Sequence, residues 1–323
     1  MVIISDWNQE LKAYSIPKDL VRQINNYSKE IDFKFLGDIF NYSDVEVYFG
    51  NLPKESALSK FENLKWVHFG SIGIDKISQA FIENNKLTIT NGANTNTKAV
   101  VTYCMGELFH SCKAGFLSRV FDESELTRLY YNNFYDHMID YDDIKLTILG
   151  YGGIGQKLAQ MLSPLVKTIN IVTRTKRPSF KNIKFFSLDE IVVPTSQSTH
   201  IINVLPLHDK TMGIINQEVC KHLNAIYYIC AGRAETHVVD DILSSIDNGR
   251  IRGASLDVHG LPGGKIDESI MKYNKIKLSP HISGWTKNFW ENQKEIIMHN
   301  LDIFSLDNHE KMKNLVYNKG IKS

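Results

Sequence analysis

Between a β-rich run, Leu146-Thr147-Ile148-Leu149, and a helical pattern carrying Leu158, Met161 and Leu162, the chain reads Gly150-Tyr151-Gly152-Gly153-Ile154-Gly155. No other stretch restricts the fold as much. A strand that turns on glycine directly into a helix is the first half of a βαβ unit, and parallel strands require such crossovers. Gly150 permits the tight turn, Gly152 lets a pyrophosphate approach the backbone, and Gly155 lets helix and strand pack closely. The helix start at Gly153 and Ile154 offers free N–H groups and a favourable dipole for phosphate. A bare glycine match is weak, since glycine turns are common. The flanking strand and helix make dinucleotide binding the stronger reading over a merely structural turn.

Two α/β series surround this turn. Val2-Ile3-Ile4, Val45 to Phe49, Leu64 to Phe69 and Leu87 to Thr90 form the first set of candidate buried strands. Leu146 to Leu149, Ile169 to Val172, Ile201 to Val204, Ala225 to Ile229 and Ala254 to Val258 form the second. Helical patterns alternate with them, which predicts parallel sheets covered by helices on both faces. A helical stretch from about Lys98 to Val120 separates the two series. From Trp290 onward, Ile296, Ile297, Leu301 and Phe304 share one helical face, which suits a C-terminal segment returning to the first domain.

The chain has 323 residues, enough for two domains, with 43% hydrophobic and 23% charged residues, an ordinary globular balance. A net charge of +1 gives no field toward nucleic acid or an anionic membrane. No apolar run reaches the roughly 18 residues that span a bilayer. No signal peptide is evident at Met1-Val2-Ile3-Ile4-Ser5-Asp6, so a cytoplasmic protein is expected. Cys104, Cys112, Cys220 and Cys230 show no Cys-x-x-Cys pair, and reduced thiols are the simplest reading, with Cys104 and Cys112 packed in an apolar helix. No metal site is expected.

The segment after the second strand of this series bears on the choice of dinucleotide. An NAD site usually carries an acid about 20 residues past the turn. This chain has Thr173-Arg174-Thr175-Lys176-Arg177 instead. A ribose 2′-phosphate adds charge and acceptor oxygens that these residues can meet, so NADP is expected over NAD, with NAD still possible. A solvated basic loop is the alternative.

Several ordered motifs then coincide. They are Gly70-Ser71-Ile72-Gly73-Ile74-Asp75, the glycine turn, Leu205-Pro206-Leu207 with Thr211, and Gly232-Arg233-Ala234. Gly253 to Val258 and Ser279-Pro280-His281-Ile282-Ser283-Gly284 complete them. Over most of its length the chain resembles the D-isomer-specific 2-hydroxyacid dehydrogenase family. The resemblance implies a Rossmann cofactor domain, residues 98–286, inserted into a flavodoxin-like substrate domain of residues 1–97 and 287–323. It also implies a cleft that closes on hinges near Thr97 and Thr286 to Asn288, and a homodimer formed through the cofactor domains. Arg233 resembles the arginine that holds the substrate carboxylate and polarises the keto oxygen, and His281 the general acid. N–H groups around Ser71, Ile72 and Gly73 are expected on the carboxylate, and Asp257 on the nicotinamide amide. Leu205, Pro206, Thr211 and Ala231 fall at cofactor-contacting positions, and His281 adjoins the cofactor as well. Asn51, Leu52 and Trp285 are pocket candidates by family position, although Trp285 serves equally as a packing residue. The implied reaction is reduction of a small 2-oxo acid to a D-2-hydroxy acid.

Four departures stand out. Cys230 occupies a common asparagine position, Thr102 a frequent glutamate, and Ala234 follows the arginine where glycine is usual. Cys230 and Ala234 are expected to alter the turn that presents Arg233, since alanine tolerates positive φ poorly. Pro262 stands where the family's glutamate supports the histidine. Proline cannot stabilise an imidazolium, so an impaired or acid-shifted reductase is expected. Glu268, Asp267 and His259 are candidate substitutes, Glu268 the best of them. The rival readings are a nucleotide-binding regulator or scaffold with little turnover, and a dehydrogenase for a noncarboxylate or unusually large substrate.

Overall fold

The computed structural model describes residues 1–7, 15–51, 53–74, 77–117, 134–258, 260–261, 265–266 and 268–323. The chain divides into two compact units, Met1–Asn96 with Trp285–Ser323, and Thr97–Gly284. Each is an α/β domain with a doubly wound sheet.

The first unit contains β1 (Val2–Ser5), β2 (Asp32–Phe35), β3 (Val45–Gly50), β4 (Trp66–Phe69) and β5 (Thr88–Asn91). Their order, β5-β4-β3-β1-β2, is flavodoxin-like, and all pair in parallel. Alternate residues feed opposite faces. Ile3, Val47, Phe49 and Trp66 pack into one core; Ile4, Tyr48, Val67 and Phe69 pack into the other. Both faces are therefore apolar, and the strands read as continuous hydrophobic runs rather than alternating ones. The C-terminal helix Phe289–Ser305 does return to this unit, burying Ile297 and Leu301 against β1, β3 and β4 residues. Beyond it, two further strands extend the sheet: Leu315–Asn318 runs antiparallel to β5, and Ile321–Lys322 pairs with it. The sheet is thus mixed at that edge.

The second unit contains β6 (Lys145–Leu149), β7 (Thr168–Val172), β8 (Ile183–Phe186), β9 (His200–Asn203), β10 (Ile226–Cys230), β11 (Ile251–Leu256) and a last strand, β12 (Ile276–Leu278). All are parallel, in the order β12-β11-β10-β9-β6-β7-β8. This is the Rossmann arrangement, with its topological switch between β6 and β9. Ile148, Ile171, Ile202 and Ile229 fill one face; Leu149, Val172, Ile201 and Tyr228 fill the other. The long helix of this unit, Thr97–Cys112, ends well before Val120. Ala114 adopts a left-handed φ of 54° and breaks it.

All four cysteines are buried and free, Cys104 and Cys112 as their apolar helix suggested. Burial pushes both Cys104 and Cys230 thiols upward, Cys230 to about 11, which makes them packing groups rather than nucleophiles. Among the described residues, no helix is long and apolar enough to cross a membrane, and no three metal-ligating side chains cluster.

Three imidazoles lie deep in these cores. Burial holds His68 in the first unit at about 4, and His200 and His237 in the second at about 3 and 4, below their ordinary 6.5. Between those limits the unfolded chain binds more protons than the fold, so stability is lost as pH falls. We expect the melting temperature to drop steadily from pH 6.5 toward pH 4, in both units. A flat profile over that window would show that these imidazoles titrate normally.

Candidate active site

Every strand of the second sheet points its carboxyl end to the same edge, and the singled-out residues of this unit emerge there in order. The glycine turn leaves β6, Thr173 to Arg177 leave β7, and Leu205 and Pro206 follow β9. Ala231 and Arg233 follow β10, Asp257 follows β11, and His281 follows β12.

At the switch point, close approach demands glycine. Gly150 has a φ of 104°, and a Cβ there would sit 3.1 Å from the carbonyl oxygen of Val204. A Cβ on Gly232 would come 2.7 Å from the Leu205 oxygen, and one on Gly155 would run into the Gly150 carbonyl. Gly152 differs: a Cβ there meets nothing, although its φ of −78° suits any residue. It opens the helix Gly153–Leu162 with no side-chain cap, leaving the first-turn N–H groups open. Space beside bare N–H groups at a helix start is the cradle that a pyrophosphate fills.

Gly152→Ala and Gly155→Ala should therefore part company. The first should change unfolding stability by no more than about 0.5 kcal/mol while weakening nucleotide binding roughly tenfold. The second should cost about 1–3 kcal/mol of stability by backbone overpacking. Urea denaturation alongside a nucleotide titration separates the two, and equal behaviour would contradict the cradle.

The Arg233 loop is tied from beneath. Thr236 Oγ1 donates to the Arg233 carbonyl at 2.6 Å, and Asn203 Nδ2 donates to Thr236 Oγ1 and to Tyr228 OH, both at 2.8 Å. Asn203 Oδ1 meanwhile accepts from Leu205 N at 3.1 Å. One fully buried amide thus fixes the β9 and β10 loops together. Sequence reading passed it over as an ordinary strand residue; an asparagine closing a run of isoleucines was the available signal. Arg233 is half-buried with extended backbone, and Nη1 donates to the Gly232 carbonyl at 3.0 Å. Ala234 does not disturb this turn, contrary to expectation. It starts the short helix Ala234–Thr236 and is not at positive φ, so no glycine is required. Cys230 ends β10 fully buried, its thiol 3.9 Å from the Arg233 carbonyl.

The His281 loop is held by Asp257. Its Oδ1 accepts from Ser279 Oγ at 2.6 Å and Ile282 N at 2.8 Å, and its Oδ2 accepts from Ser283 N at 2.9 Å. Asp257 is 1% exposed. Those bonds make the carboxylate a clamp on residues 279–283, whereas the family position had suggested the nicotinamide amide. Tyr103 OH, on the Thr97–Cys112 helix, meets Ser279 Oγ at 2.9 Å and extends the network. His281 is exposed and left-handed, with φ of 56°, and its N–H reaches the Asp257 and Ser279 carbonyls. A non-glycine residue kept in that region by surrounding bonds is a recurrent feature of functional sites.

Residues 125–283 match the family described as D-isomer specific 2-hydroxyacid dehydrogenase, NAD binding domain. That segment belongs to the D-isomer-specific 2-hydroxyacid dehydrogenase family. Its class is therefore that of NAD(P)-dependent oxidoreductases, with a nicotinamide nucleotide as cofactor. A similar curated protein, an uncharacterised one from the proB 3′ region of Corynebacterium melassecola, is 26% identical over 278 residues, covering 85% of this chain and 86% of that one. Among solved structures, an NAD-dependent formate dehydrogenase from Staphylococcus aureus in complex with NAD superposes with a TM-score of 0.77. It is 19% identical, over 95% of this chain and 96% of the other. A D-isomer specific 2-hydroxyacid dehydrogenase from Xanthobacter autotrophicus in complex with NADPH and MES also gives 0.77, at 15% identity over 98% of both chains. At these identities the likeness is one of fold.

Other singled-out residues lie in both units. In the first unit, Ser71, Ile72 and Gly73 follow β4, and none of their N–H groups donates to a protein acceptor among the described residues. Ser71 Oγ instead donates to the Asn51 and Gly73 carbonyls, both at 2.9 Å. Trp285 begins this unit's second segment and is 45% exposed. In the second unit, Thr211 is fully buried and its hydroxyl donates to the Pro206 and His208 carbonyls, which shapes the β9 loop from within. Thr102 is exposed and bonds back to the Lys98 carbonyl of its own helix. Leu52, Pro262, His259 and Asp267 lie outside the described residues, as does the side chain of Glu268.

Proposed function

We propose that the chain reduces a small 2-oxo acid to its D-2-hydroxy acid with NADPH, reversibly. One observation carries this reading. Arg233 and His281 rise from the carboxyl edge that bears the glycine turn, at the ends of β10 and β12, with the Asp257 end of β11 between them. The guanidinium offers paired donors to a carboxylate and to a keto oxygen on which charge develops. The exposed imidazole donates a proton to that oxygen in reduction and takes it back in oxidation. The nicotinamide supplies the hydride when bound. The three open N–H groups at Ser71, Ile72 and Gly73 fit recognition of a carboxylate by the first, substrate-binding unit. The preference for NADPH rests on the basic residues after β7 and on the lack of an acid at the ribose position. A homodimer through the nucleotide-binding unit, working in the cytoplasm, completes the proposal.

A fluorescence titration with NADPH and with NADH, followed in the same cuvette by a panel of 2-oxo acids between pH 5 and 8, tests it. Tighter NADPH binding and oxidation by a 2-oxo acid are expected. Tight nucleotide binding with no turnover on any acid would instead favour a nucleotide-responsive regulator, which the loss of the glutamate at Pro262 also motivates.

A further inference from the structure

The cations after β7 are not equivalent. Lys176 Nζ lies 3.0 and 3.2 Å from the two carboxylate oxygens of Glu190. The Arg177 guanidinium stands 5.2 Å from the ring centroid of Tyr151, inside the glycine turn. Arg174 is exposed and makes no ion pair among the described residues. Glu190 itself is fixed in place. Its Oε2 accepts from Ser187 N at 2.8 Å and Ser187 Oγ at 3.0 Å, closing a capping box on the turn Leu188–Glu190. The Ser187 N–H first, then Lys176, hold its carboxyl down at about 2, so it is ionised at every working pH.

Topology puts that charge beside the ribose end of the site. β8 pairs in parallel with β7 up to Val172 and Phe186, and Thr173 N then donates to the Phe186 carbonyl at 3.0 Å. The turn bearing Glu190 therefore leaves the sheet next to the turn bearing Arg174. No scan for an acid about 20 residues past the glycine turn finds it, because it comes from the following strand.

We propose that Glu190 is a specificity-determining residue for the nucleotide. It occupies Lys176 and sets a fixed negative charge against a 2′-phosphate, leaving Arg174 and Arg177 to receive that phosphate. This rests on the cofactor reading above. A phosphate monoester recruits Lys176 only by parting it from Glu190 or by joining the pair against carboxylate repulsion. Arg177 remains available because a cation held over a ring keeps its N–H edge free. The pair is partly exposed, so Glu190 modulates the choice of nucleotide without deciding it alone.

The test is titration of NADPH and NADH into the wild-type protein and into E190Q, K176Q, R174Q and E190Q/K176Q at one fixed ionic strength. E190Q should raise the ratio of NADH to NADPH dissociation constants about fivefold, almost wholly through NADPH. K176Q alone should weaken NADPH about fivefold, because it leaves the Glu190 charge without its counter-ion, and in the E190Q background it should abolish the gain. R174Q should weaken NADPH about tenfold. An unchanged ratio in E190Q, or a gain that survives in E190Q/K176Q, overturns the proposal. Should E190Q fail to fold, E190A takes its place with the same expected shift. A wild type that prefers NADH yet shifts fivefold in E190Q would reject the NADPH reading and keep this one; binding of neither nucleotide would reject both.

Discussion

Replacing Arg233 by leucine is expected to lower kcat/KM for the preferred 2-oxo acid roughly 10³-fold, about 4 kcal/mol of transition-state stabilisation, with NADPH affinity unchanged. Two losses combine. The carboxylate forfeits a bidentate partner, and the keto oxygen forfeits the donor that meets its growing charge. Arg233→Lys should recover only part of this, because an ammonium is a point charge without the planar fork. The support beneath the arginine makes a graded companion. Asn203 joins Leu205 N, Thr236 Oγ1 and Tyr228 OH, and Thr236 passes the constraint to the Arg233 carbonyl. Asn203→Ala should raise KM for the acid and lower stability together, since it strands buried donors and acceptors. Steady-state kinetics on the leucine variant decide the main point. Turnover within a few-fold of wild type would remove Arg233 from the chemistry and point to a substrate without a carboxylate.

Much of this arrangement was legible in the sequence, for a definite reason. Strands buried on both faces need apolar residues throughout, so Ile148-Leu149 and Ile171-Val172 announce themselves. The strands that went unread sit at sheet edges. β2 is Asp-Phe-Lys-Phe, β8 is Ile-Lys-Phe-Phe and β12 is Ile-Lys-Leu, each a short run that a charged residue interrupts. The strand Leu315–Asn318 is antiparallel and lies beyond the last helix, where a βαβ reading has already stopped. Site residues were legible where their motif is contiguous, as in Gly150 to Gly155 or Ser279 to Gly284. Asn203 and Glu190 were not, because their roles come from pairing of strands that sequence distance conceals. Ala234 misled through a rule about glycine that applies only at positive φ. Pro262, the most conspicuous departure from the family, falls outside the described residues; the support for His281 that the described residues show is the Asp257 clamp on its loop.

His281→Asn is expected to lower the reductive kcat by about 10²–10⁴, the usual worth of a positioned general acid. It should also remove the fall in rate toward alkaline pH, because that fall reports loss of the donated proton. In oxidation the sign reverses: the neutral imidazole is then the active form, and rate rises with pH. Asp257→Asn tests how the histidine is held. The buried carboxylate accepts from Ser279 Oγ, Ile282 N and Ser283 N at once, and an amide of the same size turns a donor toward at least one of them. One stranded bond costs about 1–3 kcal/mol, enough to release the left-handed His281 backbone. The kcat of D257N should then fall at least tenfold, with the alkaline limb of its pH profile kept, because the imidazole is present but misplaced. That retained limb separates the two variants. A D257N enzyme with wild-type kcat and weakened nucleotide binding would instead return Asp257 to the nicotinamide contact that its family position suggests, and would leave the Ser279–Ser283 bonds as packing alone.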